Sequence, residues 1–263
     1  MSQLLLVGVF LAAVTASAAE EIVTLSTRPG VTQSYLLSIP AADKPSAIVL
    51  LFPGGDGQVN LAREQRRASL DRGNFLVRSR RLFAQAGVVA AVVDVPSDQA
   101  SGMDDEFRLG ADHAVDIGKV VTDLKARFPG LPVFLIGTSR GTVSAANAGA
   151  QLGKTIDGVV LTSAVFLPAR RVGRPGLSGF DLGTIPSRLL LVHHVEDECV
   201  VTPYSEAQAL SERYPLISVS GGLPPRSAPC RAMSRHGFLG REAETVREIV
   251  NWVLGRPFRK KIE

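Results

Sequence analysis

Apolar residues in this chain fall into two kinds of run. Short continuous ones, Ser46–Phe52, Val88–Val95, Val133–Ile136, Gly158–Ala164, Arg188–His193 and Pro215–Val219, have the form of strands buried on both faces. Ile22–Ser26 and Gln33–Ile39 alternate around Pro29-Gly30, which predicts an antiparallel pair at one edge. Between the later runs the period changes. In Leu109–Phe128, residues Ala114, Ile117, Val121, Leu124 and Phe128 recur at steps of three and four, one helical stripe stopped by Pro129-Gly130. Asn74 can cap a helix over Phe75–Ala86 that Gly87 ends. Thr142–Ala150, Pro203–Tyr214 and Glu242–Leu254 read as further helices, the last with Val246, Ile249, Val250 and Val253 facing inward. Ser97–Phe107 reads as an acidic loop, Gly221–Ser234 as a second loop, and Phe166–Ser187, broken repeatedly by Gly and Pro, as a short lid. Strand and helix thus alternate from Ser46 onward. The fold class expected is α/β: a mostly parallel central sheet with helices on both faces, in which ligands bind beyond the carboxyl ends of the strands.

Length and composition add to this picture without changing it. With 263 residues, 45% of them hydrophobic and 21% charged, the chain can bury a large core. No repeat or linker divides it, so residues 20–263 are expected to form a single domain. Residues 1–19 resemble a secretory signal peptide, with an apolar centre over Leu4–Val14 and small residues at Ala16-Ser17-Ala18, although Lys and Arg are missing from its start. That apolar run is short of the ~20 residues a spanning helix needs. The mature protein is therefore expected to be secreted or periplasmic, without stable membrane insertion.

The net charge is +4, but the basic residues are scattered and no nucleic-acid motif appears, so nucleic acid is not an expected partner. The arginines between Arg63 and Arg81 read mainly as a solvated helical face, and Arg256–Lys261 as a solvated tail. Two cysteines, Cys199 and Cys230, fit an exported protein with one disulfide. No clustered His/Cys ligand set and no nucleotide fingerprint occurs, so neither a metal nor an organic cofactor is expected.

The stretch that changes the picture is Pro132–Gly141, PVFLIGTSRG. A buried strand breaks into Gly-Thr-Ser-Arg-Gly and a small-residue helix follows, the context of a nucleophile elbow with Ser139 at its tip. A serine hydroxyl needs a base. Of the four histidines, His113 flanks a helical stripe and His193 and His194 end a strand, whereas His236 follows a long loop that lets it reach the sheet's end. His236 is the candidate base. Asp197, in the acidic turn after Arg188–His193, is the candidate carboxylate, ahead of Asp181 in the lid and Asp94 at an earlier strand end. Oxyanion donors would be the backbone N–H groups of Arg140, after the nucleophile, and Gly55, in the Pro53–Gly57 turn.

The Gly137–Gly141 elbow, the Phe52–Gly57 loop and the chain order Ser139, Asp197, His236 resemble the α/β-hydrolase superfamily over roughly Gln33–Leu254. The short Phe166–Ser187 insertion is similar to the compact members, small carboxylesterases and dienelactone-hydrolase-like enzymes. Two features depart from the lipase and esterase pattern: the oxyanion segment reads Phe-Pro-Gly-Gly-Asp-Gly, with no leading His, and Arg follows the serine. The resemblance implies nucleophile, acid and base at the three matching positions and a small-molecule ester or acyl substrate. Peptidase, thioesterase or amidase chemistry on the same scaffold, or a catalytically silent binding protein, are the alternatives. A Cys199–Cys230 disulfide would then tether the acid loop to the base loop.

Overall fold

The computed structural model describes residues 19–41, 44–61, 70, 73–169 and 173–263. The signal-like segment before Ala19, most of the Arg63–Arg72 stretch and residues 170–172 of the lid lie outside the described residues.

Among the described residues nine strands form one sheet in the order β1-β2-β4-β3-β5-β6-β7-β8-β9. β1 (Ala19–Arg28) and β2 (Val31–Ile39) form the expected antiparallel pair, and β2 lies antiparallel to β4 (Val89–Pro96). From there the ladder is parallel: β4, β3 (Ile48–Phe52), β5 (Val133–Thr138), β6 (Gly158–Thr162), β7 (Arg188–His194), β8 (Leu216–Val219) and β9 (Lys261–Ile262). The central strands β3, β5 and β6 are buried at every position, which is why they are apolar without alternation.

Helices cover both faces. α3 (Ala111–Arg127) and α4 (Gly141–Leu152) pack on one, where Ile117, Val120, Leu124, Val143 and Ala146 join Leu50, Leu135 and Leu161. α1 (Phe75–Gln85) and α6 (Glu242–Val253) pack on the other, where Phe75, Phe83, Ile249 and Val253 join Val49, Ile136 and Val192. Asn74 caps α1, its side chain accepting the Leu76 N–H. α4 is small-residue-rich because it lies against the sheet backbone: a Cβ at Gly141 would collide with the carbonyl of Phe52, and one at Gly149 would come within 2.6 Å of Val159.

Four expectations are corrected. The stripe over Leu109–Phe128 is broken at Gly110, whose ψ of 158° is extended; the five residues before it form a separate helix, α2 (Asp105–Leu109), where a loop was expected. Asp104 supplies the missing start signal by accepting the Phe107 N–H. The helix after Pro203 is only α5 (Tyr204–Ala209), because Leu210 to Tyr214 passes into turns. The basic tail keeps its charged side chains in solvent but is anchored: Lys261 and Ile262 pair with Ser218 and Val219, and Arg259 binds Glu248 of α6. Finally, of the α1 arginines only Arg81 stays exposed. Arg80 is buried against Glu20, and the guanidinium of Arg78 is nearly buried against Glu242.

Candidate active site

Three chain crossings at the carboxyl ends of the strands build the site. The first is the β5–α4 turn. Ser139 takes φ of 51°, a left-handed conformation that a serine adopts only when its surroundings impose it. They do so here: the Ser139 N–H is held by the Thr162 carbonyl at 3.0 Å, and Thr142 N–H returns to the Ser139 carbonyl at 2.9 Å. The flanking glycines leave the space, since a Cβ at Gly137 would collide with the Gly141 carbonyl.

The second crossing follows β7. Asp197 sits in the turn after His194, its N–H bonded to the His194 carbonyl at 3.1 Å. Its Oδ1 accepts the Cys199 N–H at 3.0 Å, and its Oδ2 accepts the Thr202 hydroxyl at 2.8 Å. The third is the loop before α6, where a single 3-10 turn, Arg235–Gly237, carries His236. The imidazole Nδ1 donates to Asp197 Oδ2 at 2.8 Å, and the backbone carbonyl of His236 accepts the Ser163 hydroxyl at 2.8 Å. Nε2 of His236 is buried and has no hydrogen-bond partner among the described residues. Burial works to raise the Asp197 pKa, but the His236, Cys199 and Thr202 donors outweigh it and hold the carboxyl below its ordinary range.

These crossings meet at a cavity of about 200 Å³ lined by Ser139, His236, Gly54, Gly55, Asn74 and Arg231, with Cys230 and Phe75 among its other walls. Gly54 lies so close that an added Cβ would come within 2.9 Å of the Ser139 Cβ. The structure therefore brings Ser139, His236 and Gly55 to one cavity and joins Asp197 to His236 behind it. Arg140 contributes differently from its neighbours. Its guanidinium points away, Nη1 bonding Asp105 at 2.9 Å, so only its backbone stays at the elbow.

The other histidines have structural partners. His193 Nε2 donates to the Thr202 carbonyl at 2.7 Å and His194 Nε2 to the Gly221 carbonyl at 3.0 Å. His113 is buried between the rings of Phe52 and Phe107. Asp94 accepts the Val59 and Leu61 N–H groups, and Asp181 caps the 3-10 turn at Leu182–Thr184.

Cys199 and Cys230 form a disulfide across 31 residues, linking the Asp197 turn to the loop before His236. Two supports were not read from the sequence. Thr202 buttresses Asp197; its signal is a hydroxyl placed to close the acidic turn just before Pro203. Arg78 reaches from α1 to the carbonyls of Gly237 and Ala232 while paired to Glu242, fixing the loop that carries His236. No local pattern marks it, because its partners lie more than 150 residues away.

Among the described residues no group of His, Cys, Asp and Glu is arranged to hold a metal ion, and no helix is long and apolar enough to cross a membrane.

Residues 99–223 match the family described as serine aminopeptidase, S33. No curated protein matches the sequence significantly. Among solved structures, Est1E from Butyrivibrio proteoclasticus superposes with a TM-score of 0.60 at 15% identity, over 89% of this chain and 99% of that one. An alpha-beta serine hydrolase homologue from Coxiella burnetii gives 0.61 at 16% identity, over 92% and 100%. XC6422 from Xanthomonas campestris, described as an a/b serine hydrolase without lid, gives 0.58 at 13% identity, over 87% and 94%. These superpositions extend over most of the chain and show that it has the α/β-hydrolase fold.

Proposed function

We propose that this protein is an exported serine hydrolase that cleaves a small ester through an acyl-enzyme intermediate. Ser139 Oγ attacks the ester carbonyl while His236 Nε2 takes its proton. Asp197 holds the Nδ1–H tautomer and stabilises the imidazolium, and the N–H groups of Arg140 and Gly55 bind the oxyanion. His236 then protonates the leaving alcohol, and a water repeats the attack on the acyl-enzyme. The observation that carries this reading is the His236–Asp197 bond of 2.8 Å combined with an unpartnered Nε2 in the residue that shares a cavity with Ser139.

The match to serine aminopeptidases raises amide hydrolysis as a second reading. An aminopeptidase must hold an α-ammonium, for which a carboxylate is the usual partner. Among the described residues lining the cavity none is acidic, and Arg231 brings positive charge instead. That favours an ester with a neutral or anionic acyl group, and the small cavity favours a short one.

A fluorophosphonate probe tests the assignment. Labelling of the wild type and its loss in Ser139→Ala is the expected result; an unlabelled wild type favours a silent binding protein. Ser139→Ala and His236→Ala should each lower kcat on p-nitrophenyl acetate by about 10⁴–10⁶, and the double variant little further.

A further inference from the structure

The turn that supplies the second oxyanion donor is built around a buried cation that the reaction scheme above does not use. Arg108, on the short helix α2, is 1% exposed. Its Nη1 donates to the Ser144 hydroxyl of α4 at 2.7 Å, and its Nη2 donates to the carbonyl of Gly55 at 3.1 Å. The turn wraps the guanidinium closely: a Cβ at Gly57, where φ is +83°, would lie 2.8 Å from Nη2.

The neighbouring carbonyls are committed as well. Gly54 O accepts the Gly57 N–H at 3.2 Å, and Asp56 O accepts the Met103 N–H at 2.9 Å. In a trans peptide the C=O and N–H point in opposite directions. The Gly55 N–H shares its peptide with the Gly54 carbonyl, which the Gly57 N–H holds, and the Gly55 carbonyl held by Arg108 shares the next peptide with the Asp56 N–H. Without Arg108, the Gly55–Asp56 peptide would be free to flip and turn its carbonyl toward the cavity beside the Gly55 N–H, where it would oppose the anion that the site has to hold.

Charge points the same way. Arg108's hydrogen-bond partners are both neutral. The nearby carboxylate of Asp105 is bonded instead to Arg140 Nη1 and to the Gly176 N–H. With the Asp56–Arg174 pair beside them, three guanidinium groups face two carboxylates, leaving a net positive charge under the turn. Burial pulls the Arg108 pKa down to about 10, which leaves it charged at neutral pH. A buried cation without a matched carboxylate is costly to the fold. It becomes useful where negative charge forms during the reaction.

We propose that Arg108 is the positioning residue of the oxyanion site: it locks the Gly55–Asp56 peptide with its carbonyl turned away from the cavity and supplies positive charge beneath the Gly55 N–H. This rests on the serine hydrolase reading.

The test compares wild type, Arg108→Met and Arg108→Lys for kcat and KM on p-nitrophenyl acetate and for inhibition by a phenylboronic acid, which forms a tetrahedral adduct with the serine. For Arg108→Met we expect kcat and boronate affinity to fall together by about 10²-fold, with KM changed less than about threefold. Arg108→Lys keeps the charge but not the fork and should fall about tenfold. It carries the test if Arg108→Met does not fold, since unchanged kcat and boronate affinity in it overturn the proposal. So does a folded Arg108→Met with both values unchanged, or one whose KM alone rises. A wild type that takes no fluorophosphonate defeats the hydrolase reading itself; a labelled wild type with indifferent Arg108 variants defeats only this inference.

Discussion

Asp197 gathers more donors than an acidic side chain in a surface turn would. Two side chains, His236 and Thr202, converge on Oδ2, while the Cys199 N–H takes Oδ1. Each bond to an ionised acceptor is worth about 1.5–3 kcal/mol when both groups are buried. Thr202→Val keeps the shape and deletes one of them. We expect kcat to fall about tenfold with KM nearly unchanged, because the carboxylate loses part of the network that holds it in line with the imidazole. Steady-state kinetics on one ester decide it; a KM change with kcat intact would place Thr202 in binding instead. At this scale the sequence was informative where chemistry is local. Ser139 announces itself through the glycines its backbone needs, and the choice of His236 over three other histidines followed from its loop. Arg78 and Arg108 were illegible because their partners are ones that only the fold brings near, whereas Thr202 lies five residues from Asp197 and had a local signal in the turn before Pro203. Arg140 was legible in its backbone and not in its side chain, since nothing beside it predicts that Asp105 would claim the guanidinium.

Elements were easiest to read where burial is complete. The continuous apolar runs became β3 to β8 within a residue or two, since a strand covered on both faces has no polar positions to confuse the period. Boundaries failed where a single residue decides: Gly110 splits the helical stripe, and β9 consists of two residues whose pairing depends on β8 alone. The disulfide is an element-scale device as well. One half-cystine donates its N–H to Asp197, and the other lines the cavity beside Arg231. Closing a loop of 31 residues stabilises the chain by about 3–4 kcal/mol in the entropic account. The bridge spans two loops and no central strand, so its loss should disorder the Asp197 and His236 loops before the sheet. We expect dithiothreitol to lower the proposed hydrolysis of p-nitrophenyl acetate at concentrations that leave the far-ultraviolet circular dichroism unchanged. Activity and ellipticity lost together would mean that the bridge supports the whole fold.

For the whole molecule, the groups buried in neutral form set the response to acid. His113 is fully enclosed, and neither ring nitrogen has a hydrogen-bond partner among the described residues. Burial first, then the charges of Arg108 and Arg28, push its pKa from 6.5 down to about 3. His193 and His194 are lowered too, chiefly by burial. The unfolded chain therefore takes up these protons before the folded one does. Their contribution to stability is complete above about pH 6.5 and declines as the pH falls toward the folded-state values, by up to about 1.4 kcal/mol per pH unit for each histidine. Asp197 adds the same sign at lower pH: its folded-state value lies below the unfolded one, so its share is present above the ordinary carboxylate range and lost beneath it. Of these groups His113 is the one to isolate, since it lies on the opposite face of the sheet from the His236 loop and makes no hydrogen bond that a substitution would break. His113→Leu should remove one proton from the difference between the two states. Urea unfolding at pH 7 and pH 5 measures this directly: the wild type is expected to lose about 1–2 kcal/mol more than the variant over that interval. Equal losses would mean that His113 is hydrated and titrates normally in the folded protein, and the acid response would then have to come from His193, His194 and the carboxylates.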